Sequence, residues 1–183
     1  MARFLIVYAS THGHTGRIVE RVGTTLGTAG HDVVIDDRPG ESGPCLHDYD
    51  AVIVGASIHS GHHQHEMIDW ARHHAVALNM TPAAFFSVCL TAAEDDEQAR
   101  ATACTYLDDF EDRTGWLPRL RTSFAGALQY GEYGFSTRLA MRVLMHRGGH
   151  PSDVTRDHDF TDWAAVDEFA VRCSALVPAP VAG

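Results

Sequence analysis

Phe4-Leu5-Ile6-Val7-Tyr8-Ala9 runs directly into Ser10-Thr11-His12-Gly13-His14-Thr15, and the junction between the two decides the fold. The first stretch is an unbroken apolar run of strand length, as in a strand covered on both faces. The second is rich in hydroxyls and glycine. A helical pattern starts near Gly16, where Ile18, Val19, Val22 and Leu26 recur at helical spacing and Gly30 supplies a stop. A loop of this composition gathers main-chain N–H groups around one small volume, and the helix N-terminus adds its partial positive charge. With Ser and Thr hydroxyls as further donors, such a loop can hold a phosphate without a cationic side chain. That matters here because the chain has no lysine: all 14 basic residues are Arg.

The alternation continues along the chain. His31–Asp36 reads as a second strand and Ala51-Val52-Ile53-Val54-Gly55 as a third, ending in Ala56-Ser57-Ile58-His59-Ser60-Gly61. Met67, Trp70, Ala71, His74 and Leu78 form one helical face, and Pro82 precedes the strand Ala84–Leu90. A helix over about 95–111, a strand around 121–128 and a helix from about 162 to 175, opened by Thr161-Asp162, complete the pattern. Five strands alternating with helices predict an α/β fold: a parallel sheet with helices on both faces. In such sheets ligands lie beyond the carboxyl ends of the strands. The loops 10–15, 57–63 and 90–97 all fall there.

The 183 residues are expected to form a single domain over 1–176, with 177–183 as a tail. The stretch 131–156 is too long for an ordinary connection and reads as an insertion. An apolar content of 45% and a charged content of 21% are ordinary for a soluble protein. The 24 acids bring the net charge to -10, which argues against nucleic acid as a partner. Cys45, Cys89, Cys104 and Cys173 show no CxxC pattern and fit a reducing compartment. Neither a signal peptide nor an 18-residue apolar run is visible, so the expected location is cytoplasmic, with any membrane contact peripheral at the inner face of the cell membrane.

Three phosphate or phosphoryl sites can be tested against the first loop. A P-loop needs Gly-Lys-Ser/Thr and a receiver domain needs a late Lys, so the absence of lysine removes both. A dinucleotide site needs GxGxxG, whereas this loop offers only Gly13 and Gly16. The Ser/Thr-rich loop of an FMN site remains. Ser10-Thr11-His12-Gly13-His14-Thr15 resembles the flavodoxin phosphate loop, with His12 where flavodoxins usually carry Thr. Gly55-Ala56-Ser57-Ile58-His59-Ser60-Gly61-His62, Ala84–Leu90, Ala125-Gly126-Ala127-Leu128-Gln129-Tyr130 and Thr161-Asp162-Trp163 narrow the match. Together they resemble the bacterial quinone-linked protoporphyrinogen oxidases, which are flavodoxin-like FMN proteins, over nearly the whole chain.

The resemblance implies a three-layer flavodoxin-like sandwich with strand order 2-1-3-4-5. It implies FMN as cofactor, protoporphyrinogen IX as substrate in haem biosynthesis, and menaquinone or ubiquinone as acceptor. It leaves the oligomeric state open. The expected cofactor-binding residues are Ser10, Thr11, His12, Gly13, His14, Thr15, Ser57, Ile58, His59, Gly61, Leu90, Thr91 and Ala92. Ile58 and His59 on one side and Leu90, Thr91 and Ala92 on the other would form small flavin walls. The aromatic sandwich usual in electron carriers is missing, so a flat, apolar tetrapyrrole could reach the flavin. His59 and His62 are candidates for a general base, and His59, His62 and His63 for cationic groups near the substrate's propionates.

The clustered histidines lack a Cys or carboxylate at ligand spacing, and no physiological metal is expected. Cys89 reads as a small core residue. The acid run Glu94-Asp95-Asp96-Glu97 complements a helix dipole or offers a docking patch. Six Arg against two acids between Arg119 and Arg156 give a local charge of +4. Within this stretch Phe135, Leu139 and Val143 share one helical face, and Arg138, Arg142 and His146 another, with Arg147 beside them. Such a helix can lie on an anionic membrane, contact the substrate, or pack on its own domain. A flavodoxin-like electron carrier and an FMN-dependent quinone reductase are the competing functions; the missing aromatics argue against the first and the lack of a second nucleotide site against the other.

Overall fold

Strand β1 (Arg3–Tyr8) sits inside a parallel sheet, paired on one side with β2 (Asp32–Asp36) and on the other with β3 (Ala51–His59). The computed structural model describes residues 1–10, 13–37, 39–40, 43–93, 97–128 and 158–177. Beyond β3 follow β4 (His62–His63), β5 (Ala83–Cys89) and β6 (Leu120–Ala125). The parallel order is β2-β1-β3-β5-β6, with the short β4 added antiparallel to β3. This is the expected doubly wound order, and β4 makes the sheet six-stranded rather than five-stranded.

Side chains on β1 alternate between two cores, as a strand buried on both faces requires. Phe4 and Ile6 pack with Ile18, Val19, Val22 and Leu26 of α1 (His14–Thr28) and with Val166, Phe169 and Cys173 of α5 (Trp163–Ser174). Leu5 and Val7 pack on the opposite face with Met67, Ile68, Trp70 and Ala71 of α2 (His65–His73). Leu78 of α3 (Ala75–Met80) and Leu107 and Phe110 of α4 (Glu97–Thr114) complete that layer. Arg21 ties α1 to α5 through a forked contact with Asp167, at 2.7 and 2.5 Å. Val177, first residue of the predicted tail, also packs on the first core.

Three boundaries differ from the sequence reading. The helical face spanning Met67 to Leu78 belongs to two helices, because the chain departs from helix at His74 (φ -98°, ψ 6°). There the imidazole Nδ1 donates to the Trp70 carbonyl at 2.9 Å, competing with the main-chain ladder. The strand expected through 128 ends at Ala125. After Gly126 the chain leaves the sheet, and β7 (Ala127–Leu128) pairs antiparallel with β8 (His158–Asp159). This ribbon brings together the two ends of the predicted insertion 131–156, which itself lies outside the described residues with Arg138, Arg142, His146 and Arg147. The acids at 94–96 also lie outside them. Finally, 57–63 is not a loose loop but the tip of a hairpin.

Candidate functional site

The chain reverses between β1 and β3: β1 has β2 on one side and β3 on the other, and their helices cover opposite faces. That is the switch point at which a doubly wound sheet opens a crevice. The first wall is the β1–α1 junction. Ala9 N donates to Gly55 O at 3.3 Å, fixing the end of the loop to β3. Gly13 then caps α1 in the left-handed region, φ 76°, where a side chain would be strained. Among the described residues no side chain caps α1 and no acid belongs to its first turn, so its leading amides have no side-chain acceptor there. Ser10 Oγ is buried without a hydrogen-bond partner among the described residues.

An orphaned buried hydroxyl beside an uncapped helix N-terminus fits a phosphate ester. His14 and Thr15 are buried in the first turn of the helix. The His14 amide is the first of α1, while its ring reaches Thr161 Oγ1 at 2.7 Å. Gly16 allows the close approach of helix to strand: a Cβ there would lie 3.1 Å from the Tyr8 hydroxyl. Thr11 and His12 lie outside the described residues.

The second wall is the hairpin β3–β4. Register pairs Ile58 with His63 and His59 with His62, so Ser60 and Gly61 form a two-residue turn. Both have positive φ, 52° and 84°, the geometry of a type I′ connection. Ser57 is pinned twice, its N–H donating to Gln64 Oε1 at 3.0 Å and its hydroxyl meeting His59 Nε2 at 3.0 Å. Ile58 and His59 are half-buried, whereas Gly61 and His62 are exposed. The third wall is a short 3-10 turn, Leu90–Ala93, in which Leu90, Thr91 and Ala92 are half-buried. It leaves β5, the neighbour of β3 through the pair Ser57 and Val88. The Thr91 and Ala92 amides point back at the Cys89 sulfur, and burial nevertheless pushes its thiol pKa up.

His63 does not act as the expected cation. It is 2% exposed, bonded through Nε2 to Ser87 Oγ at 2.9 Å, and flanked by Phe85 and Phe110. Burial lowers its pKa from 6.5 to about 4, so at neutral pH it is an uncharged core group. Among the described residues no three His, Cys, Asp or Glu side chains gather as a metal site. Sequence reading passed over Gln64, which braces Ser57, and the partnership of Thr161 with His14. The latter contact spans 147 positions, and no local pattern announces it.

The chain matches the flavodoxin domain over residues 5–155. It is 38% identical to a protoporphyrinogen IX dehydrogenase [quinone] of Leishmania major over 174 residues, covering 94% of this chain and 74% of the relative. Its identity to the protein of the same name from Escherichia coli K12 is 29% over 176 residues, covering 96% and 97% of the two chains. Oxidised flavodoxin 1 of Bacillus cereus shares the fold, with a TM-score of 0.56 at 14% identity and coverage of 97% and 100%. The chain belongs to the flavodoxin domain family and, within it, to the group of the quinone-linked protoporphyrinogen IX dehydrogenases.

Proposed function

We propose that this chain binds FMN at the carboxyl edge of the sheet, oxidises protoporphyrinogen IX to protoporphyrin IX, and passes the electrons to a membrane quinone. One observation carries the cofactor assignment: the uncapped N-terminus of α1 beside the orphaned Ser10 hydroxyl. The relatives' names support the substrate and the acceptor class. When bound, FMN supplies the redox chemistry. The protein's own residues hold and shape the site. Ser10, Thr11, His12, Gly13, His14 and Thr15 would grip the phosphate; Ser57, Ile58, His59 and Gly61 would line one side of the ring system, and Leu90, Thr91 and Ala92 the other.

The bracing of Ser57 by Gln64 and His59 holds the hairpin in one shape, which suits a wall against a planar ligand. His59 and the exposed His62 stand at this edge as candidates to take up a proton or meet a propionate. Arg138, Arg142, His146 and Arg147 are proposed to contact substrate or an anionic membrane. Among the described residues no helix is long and apolar enough to cross a membrane. A cytoplasmic location with peripheral contact at the membrane's inner face follows as part of the same proposal.

The deciding experiment is anaerobic. Protein loaded with FMN, given protoporphyrinogen and a soluble quinone, is expected to produce fluorescent porphyrin much faster than free FMN does. Turnover of the flavin only against a reductase would identify an electron carrier. Turnover of quinone only with a nicotinamide donor would identify a quinone reductase. Either result sinks the proposed reaction.

A further inference from the structure

His14 is buried and only half engaged. It is 6% exposed, and its Nε2 lies 2.7 Å from Thr161 Oγ1. The Thr161 hydroxyl donates to the Ala125 carbonyl at 2.8 Å. A carbonyl can only accept, so the one hydroxyl proton is committed there. Toward His14 the hydroxyl is therefore the acceptor, and the neutral ring carries its proton on Nε2. Nδ1 is left as a buried lone pair with no partner among the described residues. Bond lengths and angles alone keep this atom within about 5 Å of the residue's own amide, the first of α1. An unpartnered buried acceptor thus stands beside the leading amides of an uncapped helix.

Among the described residues, the charged groups around the ring come from two elements. Asp159, ending β8, has Oδ1 3.8 Å from His14 Nε2, and its Oδ2 lies 3.2 Å from Arg17 of α1. Asp159 favours the imidazolium and Arg17 opposes it, while burial, the largest influence, lowers the ring's pKa. From α5 the ring meets only the indole of Trp163, at 6.2 Å between centroids, and from β6 it meets the Ala125 carbonyl through Thr161. His12, in the same loop, is the other titratable group in this segment. Without an anion, His14 is neutral at pH 7. The second ionisation of a phosphate monoester lies near 6, so that ligand arrives as the dianion.

We infer that His14 is a proton-linked phosphate ligand: when the cofactor's phosphate enters the cradle, one proton from solvent is shared between Nδ1 and a phosphate oxygen. Neutral imidazole, phosphate dianion and one proton give a pair of net charge -1, whether the proton sits on nitrogen or oxygen. One of the two phosphate charges is thereby neutralised in a chain without lysine. The inference rests on the FMN reading above.

Calorimetric titration of the full chain with FMN at pH 7.5, in two buffers of different ionisation heat, counts the protons. Uptake of close to one is expected with FMN and close to none with riboflavin, which lacks the phosphate. From pH 7.5 up to the pKa of the bound pair the FMN Kd should rise about tenfold per pH unit, as one linked proton requires. His14→Gln keeps a donor for Thr161 and should abolish both the uptake and the pH dependence; His12→Thr should retain them. FMN binding by the wild type without proton uptake overturns the inference and leaves the cofactor reading standing. So does uptake that survives in His14→Gln and disappears in His12→Thr. Failure to bind FMN at any pH removes both readings. A wild-type count of zero decides against the inference even if a variant misfolds.

Discussion

Single atoms decide outcomes at two positions in this protein. A Cβ on Gly55 would lie 2.8 Å from Phe86 Cε1 and nearer still to Cζ, and the Phe86 ring is fully buried between Phe124 and Phe169. Overpacking at such a site costs about 1–3 kcal/mol. Gly55→Ala should lower the urea midpoint accordingly without changing the slope of the transition. His63 sets a second limit. The unfolded chain binds its proton near 6.5 and the folded chain only near 4. Stability is therefore complete above pH 6.5 and declines as pH falls toward 4, by about 1.4 kcal/mol per pH unit and roughly 3 kcal/mol in all. His14, lowered in the same direction, adds to the loss. Urea titrations between pH 7.5 and 4.5 should show that slope in the wild type and a shallower one in His63→Gln, whose amide can still reach Ser87. Equal slopes would place the acid sensitivity elsewhere.

Elements here begin and end for reasons that differ from one to the next. Helix α1 starts at Gly13 with no capping side chain among the described residues. By contrast, α5 starts at Asp162, whose Oδ1 accepts from Ala164 N at 3.0 Å and Ala165 N at 3.1 Å. Asp162→Ala should cost about 1 kcal/mol of global stability, read as a shift in the thermal or urea midpoint. A normal midpoint would mean that the contacts of Val166 and Phe169 alone keep the helix seated. Hairpin β3–β4 adds a third case. Its turn places Ser60 at φ 52°, and pairing with His62 and His63 carries β3 four residues past the end of β1, from Gly55 opposite Tyr8 to His59.

Across the whole molecule, functional features collect at one end of the sheet. The β1–α1 junction, the hairpin and the 3-10 turn lie there, and His14 joins that junction to Thr161 beside the β7–β8 ribbon. The ribbon in turn brackets the arginine-rich stretch. Replacing Arg138 and Arg142 together by Ala should weaken binding to anionic vesicles about thirtyfold, because each basic residue near such a surface contributes about 1 kcal/mol. Unchanged vesicle binding together with unchanged porphyrin formation would remove the role proposed for these residues.

Much of this was legible in the residue order, and the reason is periodicity. Apolar runs in β1, β3 and β5 demanded a sheet covered on both faces, and the spacing of Ile18, Val19, Val22 and Leu26 demanded a helix on one of them. The glycine and hydroxyls of residues 10–15 led to the expectation of an anion loop because backbone freedom and donor groups are local properties. Tertiary structure decided the rest, since burial and long-range pairing depend on what the fold brings alongside. His63 looked like its neighbours His59 and His62 until Phe85, Phe110 and Ser87 enclosed it and took away its charge. The strand expected through Leu128 broke at Gly126 because residues some thirty positions later offered another partner. His14 is the sharpest case: chain order placed its amide at the loop, and only folding turned its ring toward Thr161 and left Nδ1 without a partner among the described residues.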